Sequence, residues 1–157
     1  LMQTSAGSYG GNGVEYRTEI DQVAKIVSYG SQGSGPQYFR VWRKDGSVSD
    51  YGMTADSRIE AFGANSSVYV WAQSRFADTA DNYFTFHYIE DTASGLEYVL
   101  DRIAYTGNGT GIAPNAELRF VYDTVRPDRT RGFFAGVALK QTRRLTTIGS
   151  FLGSTEI

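Results

Sequence analysis

The sequence predicts an all-β protein of about nine short antiparallel strands, closed as a curled sheet or a two-layer β-sandwich. Three observations carry this. Aromatic residues make up 14% of the chain beside 18 Gly and only 3 Pro, the composition of strands punctuated by turns. Leucine, the usual filler of helical cores, occurs at only seven positions. Apolar and polar residues alternate with period two along several segments, so each of these has one face to bury. Short half-apolar strands form a core only by curling on themselves or packing on a second sheet.

The elements follow in order. Residues 1–13, LMQTSAGSYGGNG, are small and Gly-rich and read as a flexible lead-in to a single β domain over 14–157. Val23–Tyr29 is the first clear strand, and Gly30 and the loop SQGSGP end it. Tyr38–Arg43 alternates, with Phe39 and Val41 on one face and Tyr38, Arg40 and Trp42 on the other. Lys44-Asp45-Gly46 is a hairpin signal, because Asp-Gly accepts the positive φ of a tight turn, and Ser47–Tyr51 is the return strand. Val68–Phe76 reads as one strand, DTADN turns the chain, and Tyr83–Ile89 sets Phe84, Phe86 and Tyr88 opposite Tyr83, Thr85, His87 and Ile89. Asp91–Gly95 turns again. Tyr98–Tyr105 runs into the loop TGNGTGIAPN, and Leu118–Tyr122 follows. Arg126–Gly132 reads as a loop, and Phe133–Leu139 and Arg143–Phe151 as the last strands. Only Asp56–Phe62 and Ser94–Leu100 have room for a helical turn. A weak repeat links Phe86-His87-Tyr88 and Leu100-Asp101-Arg102-Ile103 to Phe120-Val121-Tyr122 and Leu145-Thr146-Thr147-Ile148, with Ile26 before Tyr29 a further echo. This describes an antiparallel unit whose loops vary in length.

The chain's 157 residues and 17.3 kDa imply a folded surface of roughly 7,800 Å² and one core. Cysteine is absent, which excludes disulfides, thiol nucleophiles and thiolate metal sites. His87 is the single histidine, so no site here has two imidazole ligands. No apolar run approaches the ~18 residues of a membrane span. Residue 1 is Leu, and no signal peptide opens the chain; it reads as a piece of something longer. Net charge is −2, but residues 1–125 carry −6 and residues 126–144 carry +5. The simple reading sets the basic stretch beside the acidic body; the alternative is an anionic partner. The overall charge argues against nucleic acid.

Candidate chemistry is thin. His87 lies mid-strand among aromatics, without a G-x-S-x-G elbow, and reads as a half-buried strand histidine. The adjacent Glu90 and Asp91 and the scattered Glu15, Glu19, Glu60, Glu97 and Glu117 form no diagnostic carboxylate pair. Asp78, Asp81 and Asn82 offer hard oxygens for calcium, as does the loop Asp91–Ser94, but no EF-hand pattern is met, and an Asp/Asn-capped turn explains the spacing. Gly107-Asn108-Gly109-Thr110-Gly111 lacks the G-K-[ST] ending of a phosphate cradle. Tyr38, Trp42, Tyr69, Trp71, Tyr83 and Tyr88 could form a stacking platform for carbohydrate, or pack as cross-strand pairs. No catalytic residue and no cofactor is indicated.

Several ordered motifs then stand out. They are YRTEID at Tyr16–Asp21, KIVSYG at Lys25–Gly30, YFRVWRKDGSVSDYG at Tyr38–Gly52, and DSRIEA at Asp56–Ala61. VWAQSRFADTADNYFTFHY at Val70–Tyr88, YVLDRIAYTGN at Tyr98–Asn108, FVYDTVRPD at Phe120–Asp128 and RRLTTI at Arg143–Ile148 continue the series. In this order, over residues 14–152, the chain resembles the N-terminal region of the SpvB and Tc-toxin B-component family, which RHS/YD repeats follow in longer proteins. Gln73 and Phe76 stand at that family's Leu and Ile positions, and Ala80-Asp81-Asn82 replaces its Gly-Asn turn. The resemblance implies a non-enzymatic, β-rich segment of a shell that encloses a toxic polypeptide. It also implies partners among other domains of the same chain and subunits of a toxin complex, and a secreted or cell-surface location in a bacterium.

Overall fold

Short strands with one apolar face are stable only beside neighbours, and most strands here pair with the next one in sequence. The computed structural model describes residues 1–20, 22–60, 67–92, 95–134 and 136–157. Asp21, Ala61 and Phe62, and Ser94 of the expected turns and motifs lie outside them. Among the described residues the strands are β1 Met2–Gln3, β2 Glu15–Arg17, β3 Lys25–Tyr29, β4 Tyr38–Trp42 and β5 Val48–Tyr51. They continue as β6 Arg58–Glu60, β7 Val68–Trp71, β8 Gln73–Ala77, β9 Asn82–Asp91 and β10 Glu97–Asn108. The last are β11 Ala116–Asp123, β12 Thr130–Phe134, β13 Val137–Gln141, β14 Arg144–Leu152 and β15 Thr155–Glu156. One 3-10 turn, Ala55–Ser57, precedes β6.

Eleven strands make one open antiparallel sheet in the order β1-β2-β3-β4-β5-β8-β9-β10-β11-β14-β15. The chain leaves it twice, for the hairpins β6–β7 and β12–β13, and each time returns to the next vacant edge. The architecture is all-β and antiparallel as expected, with more strands than expected, eleven of them in one open sheet and four in two small hairpins. Two small clusters supply the core. Val14, Tyr16 and Ile26 pack with Phe39 and Val41, and Ile59, Leu96 and Val137 pack with Tyr69, Val70 and Leu139.

Four local expectations change. Val68–Phe76 is two strands broken at Ala72, whose amide donates to the Ser57 carbonyl at 2.9 Å while its carbonyl accepts from Gly52 at 2.8 Å. The chain changes sheet there, so one apolar run serves two sheets. Phe133–Leu139 is a hairpin, with Phe134 opposite Val137 and Gly136 at φ +82°, a conformation glycine adopts without strain. Among the described residues of the two segments with room for a helical turn, only Asp56 and Ser57 are helical, in the 3-10 turn Ala55–Ser57, and Glu97–Leu100 begins β10. In the expected lead-in, Met2 and Gln3 pair with Arg17 and Tyr16, and Tyr9 packs edge-on against Tyr16 at 5.4 Å.

The weak sequence repeat has a structural counterpart. In β9–β10, Phe86 lies opposite Ile103, His87 opposite Arg102 and Tyr88 opposite Leu100, with Asp101 bulged out. In β11–β14, Phe120 lies opposite Ile148, Val121 opposite Thr147 and Tyr122 opposite Leu145, with Thr146 bulged out. A third copy, hidden in the sequence, is β5–β8: Ser49 faces Phe76, Asp50 faces Arg75 and Tyr51 faces Gln73, with Ser74 bulged out. Ile26 pairs with Val41 without a bulge and is no copy. The copies are stitched together by tyrosine. Tyr88 OH donates to the Gln73 carbonyl and Tyr122 OH to the Leu100 carbonyl, both at 2.8 Å. Each acceptor holds the same place in the copy before. Burial pushes the Tyr88 phenol up to about 12, with Asp56 adding to the rise, and burial also raises Tyr122.

Candidate functional site

The basic stretch folds back on acidic strands. Lys140 Nζ lies 3.0 Å from Asp91, and Arg144 lies 2.6 Å from Asp123. Arg126 pairs with its own neighbour Asp128 at 2.8 Å. Three of the six basic side chains in residues 126–144 are thus paired within the chain. Beside these residues runs a groove of about 760 Å³ bordered by Tyr69, Tyr98, Tyr122, Arg126 and Arg143. At its floor Glu97 is only 5% exposed. Its carboxylate accepts hydrogen bonds from the Thr142 and Arg143 amides at 2.6 and 2.8 Å and from the Thr142 hydroxyl at 2.5 Å. Burial alone would raise this carboxyl, but those bonds and the Arg143 charge outweigh it and hold the group below its usual range. Glu97 is therefore a clamp joining β10 to the end of β13, with its oxygens already used.

A second groove, of about 500 Å³, lies on the opposite half of the sheet. A chain of edge-to-face rings forms its wall: Tyr9–Tyr16 at 5.4 Å, Tyr16–Phe39 at 6.1 Å and Phe39–Trp71 at 5.1 Å. The ring polar tips are occupied. Tyr16 OH accepts from the Gly10 amide at 2.7 Å, and Trp71 Nε1 donates to the Pro36 carbonyl at 3.1 Å. Arg43 sits at one end and donates to Ser49 Oγ at 2.8 Å and Tyr51 OH at 3.3 Å.

The six aromatics singled out in the sequence do not converge. Paired residues share a face, so the row Trp42–Val48–Ala77–Tyr83 places Trp42, Tyr83 and, by alternation, Tyr38 on one face. These are separately engaged: Tyr38 stacks on Tyr29 at 5.0 Å, Lys25 lies over Trp42, and Arg75 lies over Tyr83 at 4.6 Å. Trp71 and Tyr88 belong to the other side, and Tyr69 stands in the β6–β7 hairpin against Phe134. Asp78 accepts from the Ala80 and Asn82 amides and from the Asn82 side chain, which hold its carboxyl below the usual range. Asp81 turns to Arg75 at 3.0 Å. Among the described residues no three His, Asp or Glu side chains gather in a metal-binding cluster.

His87 has company that the sequence did not show. Its Nε2 lies 3.1 Å from Thr85 Oγ1 and its Nδ1 3.6 Å from Asp56 Oδ2. The order hydroxyl, imidazole, carboxylate is that of a nucleophilic triad. The geometry is not: 3.6 Å is beyond a hydrogen bond, Asp56 Oδ2 already accepts the Tyr88 amide at 3.0 Å, and Thr85 lies mid-strand, paired with Arg75 and Ala104. Neither large groove is lined by Thr85 or His87.

Comparison with known proteins places this fold. No curated protein matches the chain. Among solved structures, the N-terminal domain of effector protein SpvB from Salmonella typhimurium strain LT2 superposes with a TM-score of 0.74 at 13% identity, over 88% of this chain and 57% of that one. The TcdB2-TccC3-Cdc42 crystal structure gives a TM-score of 0.71 at 12% identity over 88% of this chain and 9% of that chain. The Photorhabdus luminescens Tc holotoxin pore gives 0.69 at 12% identity over 88% and 8%. The chain therefore spans little more than half of the SpvB domain structure and a small part of the Tc chains. The family described as Salmonella virulence plasmid 65kDa B protein matches residues 8–110, and with that match covering most of its length, the chain belongs to the SpvB family.

Proposed function

We propose that this chain is a non-enzymatic structural segment of a bacterial RHS/Tc-toxin-like protein, a stretch of β-rich wall around a toxic polypeptide. The observation that carries the reading is the stitched repeat within an open sheet. The second and third bulged strand pairs are each tied to the one before by a tyrosine hydroxyl. Among the described residues no tyrosine reaches the equivalent carbonyl of Leu145, and β15 covers only Phe151 and Leu152 of the long strand β14. A surface of this kind suits continuation by further strands more than it suits a free-standing module. Its partners would be other domains of the same chain and subunits of a toxin complex, in a secreted or cell-surface setting. Sedimentation of the 157-residue chain over a concentration series tests the reading. Association through the open β14 edge is expected, and a strict monomer at the highest soluble concentration overturns it. RHS/YD repeats in the parent chain are expected as well; an attached glycosidase domain would count against the reading and bring the carbohydrate platform forward.

A further inference from the structure

The first copy of the repeat departs from the other two at the places that border the apolar groove. Where they carry Phe86 and Phe120, it carries Ser49. In place of a phenyl ring, Ser49 offers its Oγ, which accepts a hydrogen bond from the Arg43 guanidinium at 2.8 Å. Where Tyr88 and Tyr122 give their hydroxyl protons to a backbone carbonyl, Tyr51 OH makes no such bond among the described residues and only accepts from Arg43. Arg43 has no carboxylate within ion-pair distance among the described residues, although ten other pairs are formed. A guanidinium carries five N–H donors, and two neutral hydroxyls leave most of them unanswered, while the charge, after the Ser47 hydrogen bonds, helps to lower the Asp45 carboxyl without forming a direct pair. Asp45, the acid closest in sequence, is held by the Ser47 amide and hydroxyl at 2.9 and 2.7 Å.

We propose that this groove binds a small apolar carboxylate, with the carboxylate on Arg43 and Tyr51 and the apolar body against Phe39 and Trp71. The volume of about 500 Å³ is that of a small-molecule site, and an aromatic wall with a few convergent donors at one end is the usual form of one. The Arg fork matches the two oxygens of a carboxylate, and the Tyr51 proton is free to supply a third hydrogen bond. This site is independent of the wall-forming role, and either can fail without the other.

The test uses the chain's own tryptophans. Trp71 borders the groove, and Trp42 lies on the far face of β4, so Trp42→Phe leaves Trp71 as the single reporter. Titration with decanoate and with decan-1-ol follows Trp71 emission. Saturable binding of decanoate, tighter than that of decanol, is expected. Arg43→Gln should weaken decanoate binding about tenfold or more, the scale of a lost charge-assisted hydrogen bond, and leave decanol binding unchanged. Tyr51→Phe should weaken decanoate by a smaller factor. If Arg43→Gln melts out of the fold, Arg43→Lys, which keeps the charge and loses the fork, carries the same comparison. Absence of saturation by decanoate overturns the site. Equal affinity for acid and alcohol, or equal weakening of both by the Arg43 variants, overturns the recognition of the carboxylate.

Discussion

At the scale of single residues, stability is concentrated in a few buried polar groups. Glu97→Ala would strand the Thr142 and Arg143 amides, and unsatisfied donors cost about 1–3 kcal/mol each. A loss of about 2–3 kcal/mol in urea unfolding is expected, with Glu97→Gln milder. The carboxyl's folded pKa lies below the usual 4.5, so its stabilisation is complete above that value. It disappears as pH falls through the lowered folded value. Glu90 behaves in the opposite sense. Burial raises its pKa and the nearby Glu60 charge adds to the rise, against a hydrogen bond from the Glu60 amide, so its charged form is disfavoured in the fold. Glu90→Gln should therefore stabilise the protein at pH 7, and the gain should vanish as pH drops below about 4.5. Melting curves of the two Gln variants from pH 3 to 7 would show opposite trends. For the Thr85–His87–Asp56 array, hydrolysis of p-nitrophenyl acetate should be no faster in the native chain than in His87→Asn. A saturable turnover lost in that variant would contradict the non-enzymatic reading.

At the scale of elements, the bulge is the device to break. Deleting Thr146 from β14 would bring Leu145 and Thr147 into direct succession opposite Tyr122 and Val121, so the pairs beyond it keep their register and the strand loses only the bend and added twist of the bulge. A loss of roughly 1–3 kcal/mol in urea unfolding, with the transition still cooperative, is expected, whereas Thr146→Ala should stay within about 0.5 kcal/mol of the native chain. Phe86 is only half-buried, so Phe86→Ala should fall at or just below the roughly 3 kcal/mol floor for deleting a buried phenyl ring. Much of this level was legible in the sequence. The three-residue turn Lys44-Asp45-Gly46 predicts the β4–β5 hairpin, and counting outward from Arg43 and Ser47 places Arg40 opposite Asp50, a bidentate pair at 2.6 and 3.1 Å. Phe-x-Tyr and the L-x-x-I strings gave two copies of the repeat. The third was hidden because Ser49 and Phe76 break both strings, and backbone register, not residue type, defines it. The break at Ala72 and the turn at Gly136 were not legible, since an apolar run reads alike whether it serves one sheet or two. Glu97 was one acid among many, because its partners lie some 45 residues away.

At the scale of the whole molecule, the exposed area is 9,161 Å², above the roughly 7,800 Å² expected of a compact chain of this mass. The excess fits an open sheet whose last long strands show Leu145, Ile148 and Leu152 at 44%, 56% and 53% exposure. Ile148→Lys puts a charge on that end, the usual defence of a free sheet edge. It should abolish concentration-dependent sedimentation while leaving the melting temperature nearly unchanged. The strand order has a mechanical meaning too. The chain enters at one margin of the sheet and leaves at the other, ten interstrand spacings away, roughly 48 Å if flat. A pull between the two chain ends acts along the hydrogen bonds and across the strands, so the bonds of a ladder are loaded one after another and successive ladders carry the same tension in series. The sheet would then part at its weakest seam first, and under a steady ramp an optical trap should record several small extensions in place of one large rupture.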